Sequence, residues 1–205
     1  MGFDITIIII IVTVAASIAA FQSTDLMNRW VMNPYAVKHG NQWYRFITSG
    51  FIHANWMHLL FNMLVFYSFA PVVKAYYDYG FGAKSTWYFI ILYIGGMLIA
   101  DLPTYIKHQN HSWYNSLGAS GAVSAVLFAF VFLNPLGTIY FYFLPMPGIV
   151  MGVLYLGYSW YMAKQGGDNI NHDAHFYGAV FGVLYTFLLK PSLGMDFIDK
   201  LLHRA

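Results

Sequence analysis

The sequence predicts an all-α polytopic membrane protein, a bundle of six transmembrane helices with a long interfacial first loop. Three observations carry that prediction. Only 9% of the 205 residues are charged, against about 25% in soluble globular domains, so the chain lacks the material for a water-facing surface. Hydrophobic residues make up 59%, and the mean hydropathy is +0.56. The apolar residues also fall in six runs, near 5–21, 56–77, 86–106, 118–134, 138–162 and 173–190, where one span needs about 20 mostly apolar residues.

The first run holds Ile7–Ile11 and then Ala15-Ala16-Ser17-Ile18-Ala19-Ala20. Asp4 precedes it and no Lys or Arg does, unlike the start of a cleaved signal peptide, so it reads as a retained span. Residues 22–55 are too polar to span and, with Trp30 and Trp43, too aromatic for a free linker. They suit an interfacial segment packed on the bundle. The six Trp (Trp30, Trp43, Trp56, Trp87, Trp113 and Trp160) lie in that loop or near span ends, as an aromatic belt would. Pro135 stops the fourth run, and Pro145 and Pro147 break or kink the fifth. The runs follow one another so closely that residues 1–205 read as one membrane domain. The ten Lys and Arg divide evenly between the two sides, so charge alone sets no orientation.

Composition excludes several functions. A net charge of +2 with scattered Lys and Arg gives no footprint for nucleic acid. Without Cys there is no disulfide and no thiolate nucleophile or ligand. The chain has no Glu, and its eight Asp lie mostly in loops or at segment ends, so paired-carboxylate chemistry has little to use.

Polar side chains within apolar spans are the functional candidates, because lipid makes them expensive. His58 and Asn62 are four apart and share a helix face, with His53 five residues earlier at the loop junction. Taken alone, such a pair more often bridges helices than does chemistry. His175, Gly178 and Gly182 form a second face, a histidine above small residues that let another backbone come close. His172 lies one turn earlier, but no Cys or Glu joins the two histidines, and a zinc site needs three or four protein ligands, so no metal or other cofactor is expected. The third set opens the fourth run, Gly118-Ala119-Ser120-Gly121. Alone it reads as packing, and it is not the G-x-S-x-G elbow of soluble hydrolases, since Ala122 holds the second glycine's place. In combination the sets offer a serine at a helix start that favours an oxyanion, a histidine on a face that can reach it, and two side-chain donors. Acyl transfer requires those parts.

Over about residues 40–185 the chain resembles the rhomboid intramembrane serine proteases. The motifs are Gly118-Ala119-Ser120-Gly121, His53…His58…Asn62, and Ala174-His175-x-x-Gly178-x-x-x-Gly182, with Trp43-Tyr44-Arg45 resembling the family's first-loop signature. The resemblance implies a Ser–His dyad, Ser120 as nucleophile and His175 as general base. It implies an oxyanion site from the Ser120 and Ala119 N–H groups with His58 and Asn62. His53, Arg45, Gly118, Gly121, Gly178 and Gly182 would support the structure. The implied partners are transmembrane protein substrates and the lipid bilayer, and the implied place is a bacterial inner membrane with both termini cytoplasmic. The competing expectation is a catalytically inactive relative that binds transmembrane helices.

Two positions depart from the family pattern. Where relatives carry a Glu that hydrogen-bonds into the first loop, this chain reads Ala70-Pro71-Val72-Val73-Lys74, so the loop must be held some other way. One turn after Ser120, where relatives often place an aromatic ring against the histidine, it has Ser124, whose hydroxyl can hydrogen-bond but cannot stack.

Overall fold

The first apolar run is helical throughout: α1 spans Ile5–Gln22, and Asp4 caps it by accepting the Thr6 N–H at 2.9 Å. The computed structural model describes residues 4–141, 143–167 and 170–202. The long first loop folds into α2 (Thr24–Trp30), α3 (Pro34–Gly40), α4 (Arg45–Thr48) and a 3-10 turn at Ser49–Phe51. Ser23 caps α2, and Asn33 caps α3 with Pro34 at its first position. Then come α5 (Trp56–Phe81) and α6 (Ser85–His108), a hairpin turned at Gly82, whose φ of +53° suits a residue without a Cβ. The hairpin closes on itself through Phe66, whose ring lies 6.3 Å from that of Phe89 and 5.2 Å from that of Tyr93.

The fourth run becomes α7 (Ser120–Leu133), and every residue of it after Ser120 is buried. α9 (His172–Leu189), capped by Asn171, packs along it, and α10 (Leu193–Leu201) follows after a 115° bend. The lipid phase gives helices no hydrophobic reason to associate, so close backbone approach must hold them. α7 is placed by such contacts on two sides. Gly96 of α6 lies where a Cβ would strike Ala125 and Ala122. On the other side, Cβ atoms at Gly178 and Gly182 would strike the backbones of Gly121 and Ala125.

The expected fifth span, 138–162, needs correction. Residues 138–147 form a hairpin instead, β1 (Thr138–Phe141) antiparallel to β2 (Leu144–Pro147), and the helix α8 runs from Gly148 to Gln165. Thr138-Ile139-Tyr140 favours strand, while Pro145 and Pro147 cannot donate to a helical ladder; the break is therefore complete rather than a kink. By length and hydropathy two stretches can cross a membrane outright, Ile5–Gln22 and Trp56–His108, with α9 plus α10 a third if their bend is counted as a break. Among the described residues six spans exceed what this criterion returns, because it takes α5 and α6 as one stretch, α7 is only 14 residues long and α8, though 18 long, is not apolar enough.

The first loop is held without the family's glutamate. Arg45, 7% exposed, donates from Nη1 to the carbonyls of Val31 (2.6 Å) and Asn28 (2.9 Å), and from Nε to Gln42. Met32 and Ser116 exchange two backbone hydrogen bonds, tying the loop to the segment before Ser120. Lys74 pairs with Asp78, one turn on along α5.

Candidate active site

Ser120 is the first residue of α7 and follows Ala119, whose side chain provides no cap. The Ser120 N–H thus points out of the helix with no intrahelical acceptor. Gly118, two residues earlier, has φ +120°, a conformation costly for any residue with a Cβ. A Cβ there would also lie 2.5 Å from Cε1 and 2.8 Å from Nε2 of His58. Gly118 is therefore the space into which the His58 ring fits, and its N–H is held by the Ser49 carbonyl at 3.0 Å.

His53 is wholly buried and links three elements. The Ala119 N–H donates to its Nε2 (3.3 Å), which leaves the proton on Nδ1; that nitrogen donates to Ser17 Oγ (2.9 Å), and Ser17 donates to the Phe51 carbonyl (3.1 Å). Each member has one role, so the tautomer follows from the partners. Burial, with His58 beside it, lowers the His53 pKa to about 3, and the ring is neutral. The Ala119 N–H, expected at the oxyanion site, donates to His53 in this structure.

Asn55 caps α5 through the His58 N–H, which starts the helix that carries His58 and Asn62. Asn62 is 7% exposed and donates one amide hydrogen to the His58 carbonyl at 2.9 Å, a bond that fixes the carboxamide and leaves its second hydrogen available. On α9, His175 lies one turn before Gly178, the residue pressed on Gly121. Ser120 and His175 thus lie in the first turns of two helices whose backbones meet at Gly121 and Gly178.

Ser120, His175, His58 and Asn62 line one cavity of about 980 Å³, walled by α5, α7, α8 and α9 and by Trp113-Tyr114-Asn115. Such an arrangement offers a hydroxyl, an imidazole and amide and imidazole donors around a space large enough for a peptide segment. His172 meets His175 edge-on at 5.9 Å, and among the described residues no third ligand joins them as a metal group would require.

Three participants escaped the sequence reading. Tyr155 of α8 stacks on His175, with centroids 6.1 Å apart and planes 20° from parallel, and its hydroxyl lies 2.6 Å from Ser124 Oγ. Nothing in the sequence pairs 155 with 124. Ser17 had a signal: Thr6, Thr13 and Ser17 are buried hydroxyls at helical spacing on an apolar run. Asp101 had a stronger one, an aspartate inside a predicted span. It lines a second cavity of about 20 Å³ with Ser49, Ser116 and Ser120.

Known proteins resemble this chain over most of its length. The Rhomboid domain family matches residues 40–192. Similar proteins include "RHOMBOID-like protein 12, mitochondrial" of Arabidopsis thaliana, 27% identical over 80% of this chain and 51% of its own length. "Putative rhomboid protease YdcA" of Bacillus subtilis (strain 168) is 30% identical over 72% of this chain and 67% of its own. "Rhomboid-like protein 11, chloroplastic" of Arabidopsis thaliana is 29% identical over 82% and 61%. The chain spans about half the length of the first of these relatives and about two thirds of the others. Their names include a mitochondrial, a chloroplastic and a bacterial protein, so the match supports a membrane protein in general and not the bacterial inner membrane in particular.

Proposed function

The chain belongs to the rhomboid family, and from that premise we propose that it is an intramembrane serine protease with Ser120 as nucleophile and His175 as general base. The observation that carries the proposal is the single cavity shared by Ser120, His175, His58 and Asn62. His175 takes the proton from Ser120 Oγ as that oxygen attacks the substrate carbonyl carbon. The oxyanion so formed accepts hydrogen bonds from the Ser120 N–H, His58 and the free hydrogen of Asn62. Collapse breaks the C–N bond, and His175 delivers its proton to the leaving amine. Water, deprotonated by His175, then hydrolyses the acyl ester and restores Ser120.

The six helices α1, α5, α6, α7, α8 and α9 are the spans of this reading, in one membrane domain with both termini on the side away from the site. α7, at about 1.5 Å per residue, measures about 21 Å, against about 30 Å of hydrocarbon. If that shortfall of about 9 Å falls at its N-terminal end, Ser120 lies below the membrane surface, in a cavity open to water. Substrates are transmembrane proteins whose chain unwinds near a membrane end, since an intact helix keeps its carbonyls engaged. Helix-breaking or small residues at the cleavage point follow from that requirement.

The test is cleavage of a transmembrane reporter in proteoliposomes. The proposal predicts one product pair from wild type and none from Ser120→Ala or His175→Ala. Binding of the reporter without cleavage by wild type would favour a helix-binding, inactive relative instead.

A further inference from the structure

Ser124 is one turn beyond Ser120 on α7 and is 2% exposed. Its Oγ and the Tyr155 hydroxyl form a 2.6 Å hydrogen bond between α7 and α8. The Tyr155 ring is also flanked by Phe128, whose centroid lies 5.4 Å away. One turn before Tyr155, Gly152 lets α8 approach α7, and a Cβ there would just touch Phe128 and Val131 at 3.4 Å. Tyr155 is thus held at its hydroxyl and along its ring, and the same ring stacks on His175. Tyr158, three residues on, meets His172 edge-on at 5.6 Å. Two tyrosines one turn apart on α8 face two histidines one turn apart on α9.

We propose that Ser124 and Tyr155 are a positioning pair that sets the ring plane of His175 from α8. The proposal rests on the reading of His175 as general base. An imidazole has two side-chain torsions, and a base must keep one nitrogen on the line to the nucleophile's proton. A parallel ring restricts that swing, and the Ser124 bond keeps the tyrosine from swinging with it. The serine that replaces an aromatic ring on α7 is therefore the anchor for a ring that arrives from α8. α8 also walls the cavity, so the helix that borders the substrate carries the ring that aligns the base.

The test joins kinetics to a spectroscopic readout on purified protein. Tyr155→Leu removes the ring, Tyr155→Phe keeps the ring and removes the tether, and Ser124→Ala removes the tether from the other end. Tyr155→Leu should lower kcat about tenfold with KM within about twofold, a loss on the scale of one aromatic pair. Tyr155→Phe and Ser124→Ala should each lower kcat about threefold, and the double variant should be no worse than either, because both remove one bond. NMR of histidine-labelled protein, with His175 assigned by His175→Ala, should show a ring-current shift in wild type. That shift should persist in Tyr155→Phe and vanish in Tyr155→Leu. Unchanged His175 resonances in Tyr155→Leu would overturn the positioning role, as would a lost shift with kcat unchanged. A wild type that neither cleaves nor takes an active-site label would overturn the protease reading, while the resonances would still report whether Tyr155 orders the ring. Should Tyr155→Leu fail to fold, the threefold losses and their non-additivity in the two milder variants decide the matter.

Discussion

Substituting alanine for Gly178 tests whether helix proximity creates the site. An ideal Cβ at this position would lie 2.9 Å from the Gly121 carbonyl carbon and 3.1 Å from its Cα, and nearer still to the carbonyl oxygen. Carbon atoms pack at about 3.5 Å, so α9 must withdraw by at least about 0.6 Å at the carbon and by more at the oxygen. Both obstacles are backbone, which no rotamer change can move aside. Overpacking of this kind costs about 1–3 kcal/mol of stability. His175, one turn away on the same helix, withdraws with Gly178. A displacement near 1 Å lowers rate by about 10²-fold, equivalent to about 2.7 kcal/mol. Reporter cleavage in proteoliposomes and thermal unfolding in detergent measure the two effects. Gly157→Ala is the control, since a Cβ there meets nothing within 4 Å, and it should keep both properties. Gly178→Ala with wild-type activity and an unchanged Tm would refute the idea that the Gly121 contact places the dyad.

Three further outcomes follow from the same structure. Asn62→Ala should lower kcat by about 10²–10³, the weight of one oxyanion donor, without abolishing cleavage; equal activity would remove Asn62 from the site. His53→Leu should destabilise the fold by orphaning the Ala119 N–H and freeing Ser17, at about 1–3 kcal/mol for each buried group left unpaired. With a folded pKa near 3 against an ordinary 6.5, the unfolded chain binds more protons on the His53 ring between those values. The His53 contribution is therefore complete above pH 6.5 and erodes by about 1.4 kcal/mol per unit as pH falls toward 3. The Tm of wild type should drop more steeply than that of His53→Leu over this range, and parallel slopes would contradict a neutral, buried His53. Arg45→Ala leaves the Val31 carbonyl without its charged donor, so the first loop should become protease-sensitive and the Tm fall, as limited proteolysis and a thermal scan would show.

Much of this structure was legible in the sequence because lipid imposes simple rules. Apolar runs had to be helical, and α1, α5, α6 and α9 lie within a few residues of the expected 5–21, 56–77, 86–106 and 173–190. Polar groups inside the runs had to face inward, which singled out His58, Asn62, Ser120 and His175. The hairpin at 138–147 was missed because hydropathy cannot distinguish an apolar strand from an apolar helix. Two prolines were the available signal, and they were read as a break or kink within a span that still covered 138–162. Pairings across helices were out of reach for a different reason. Spacing shows which residues share a face, but the partners of that face, such as Ser17 for His53 or Tyr155 for Ser124, depend on how helices rotate against one another. Asp101 is a separate case: a carboxylate inside a predicted span is a signal in itself, and it was passed over because most of the chain's Asp lie in loops or at segment ends.

The central claim is that Ser120 is a nucleophile activated by His175. Labelling of the detergent-solubilised protein with a fluorophosphonate, mapped by peptide mass spectrometry, tests it most directly. The predicted result is one modified residue, Ser120, in wild type, and no modification in Ser120→Ala or His175→Ala. A wild type that remains unmodified, or a label that persists in either variant, would contradict it.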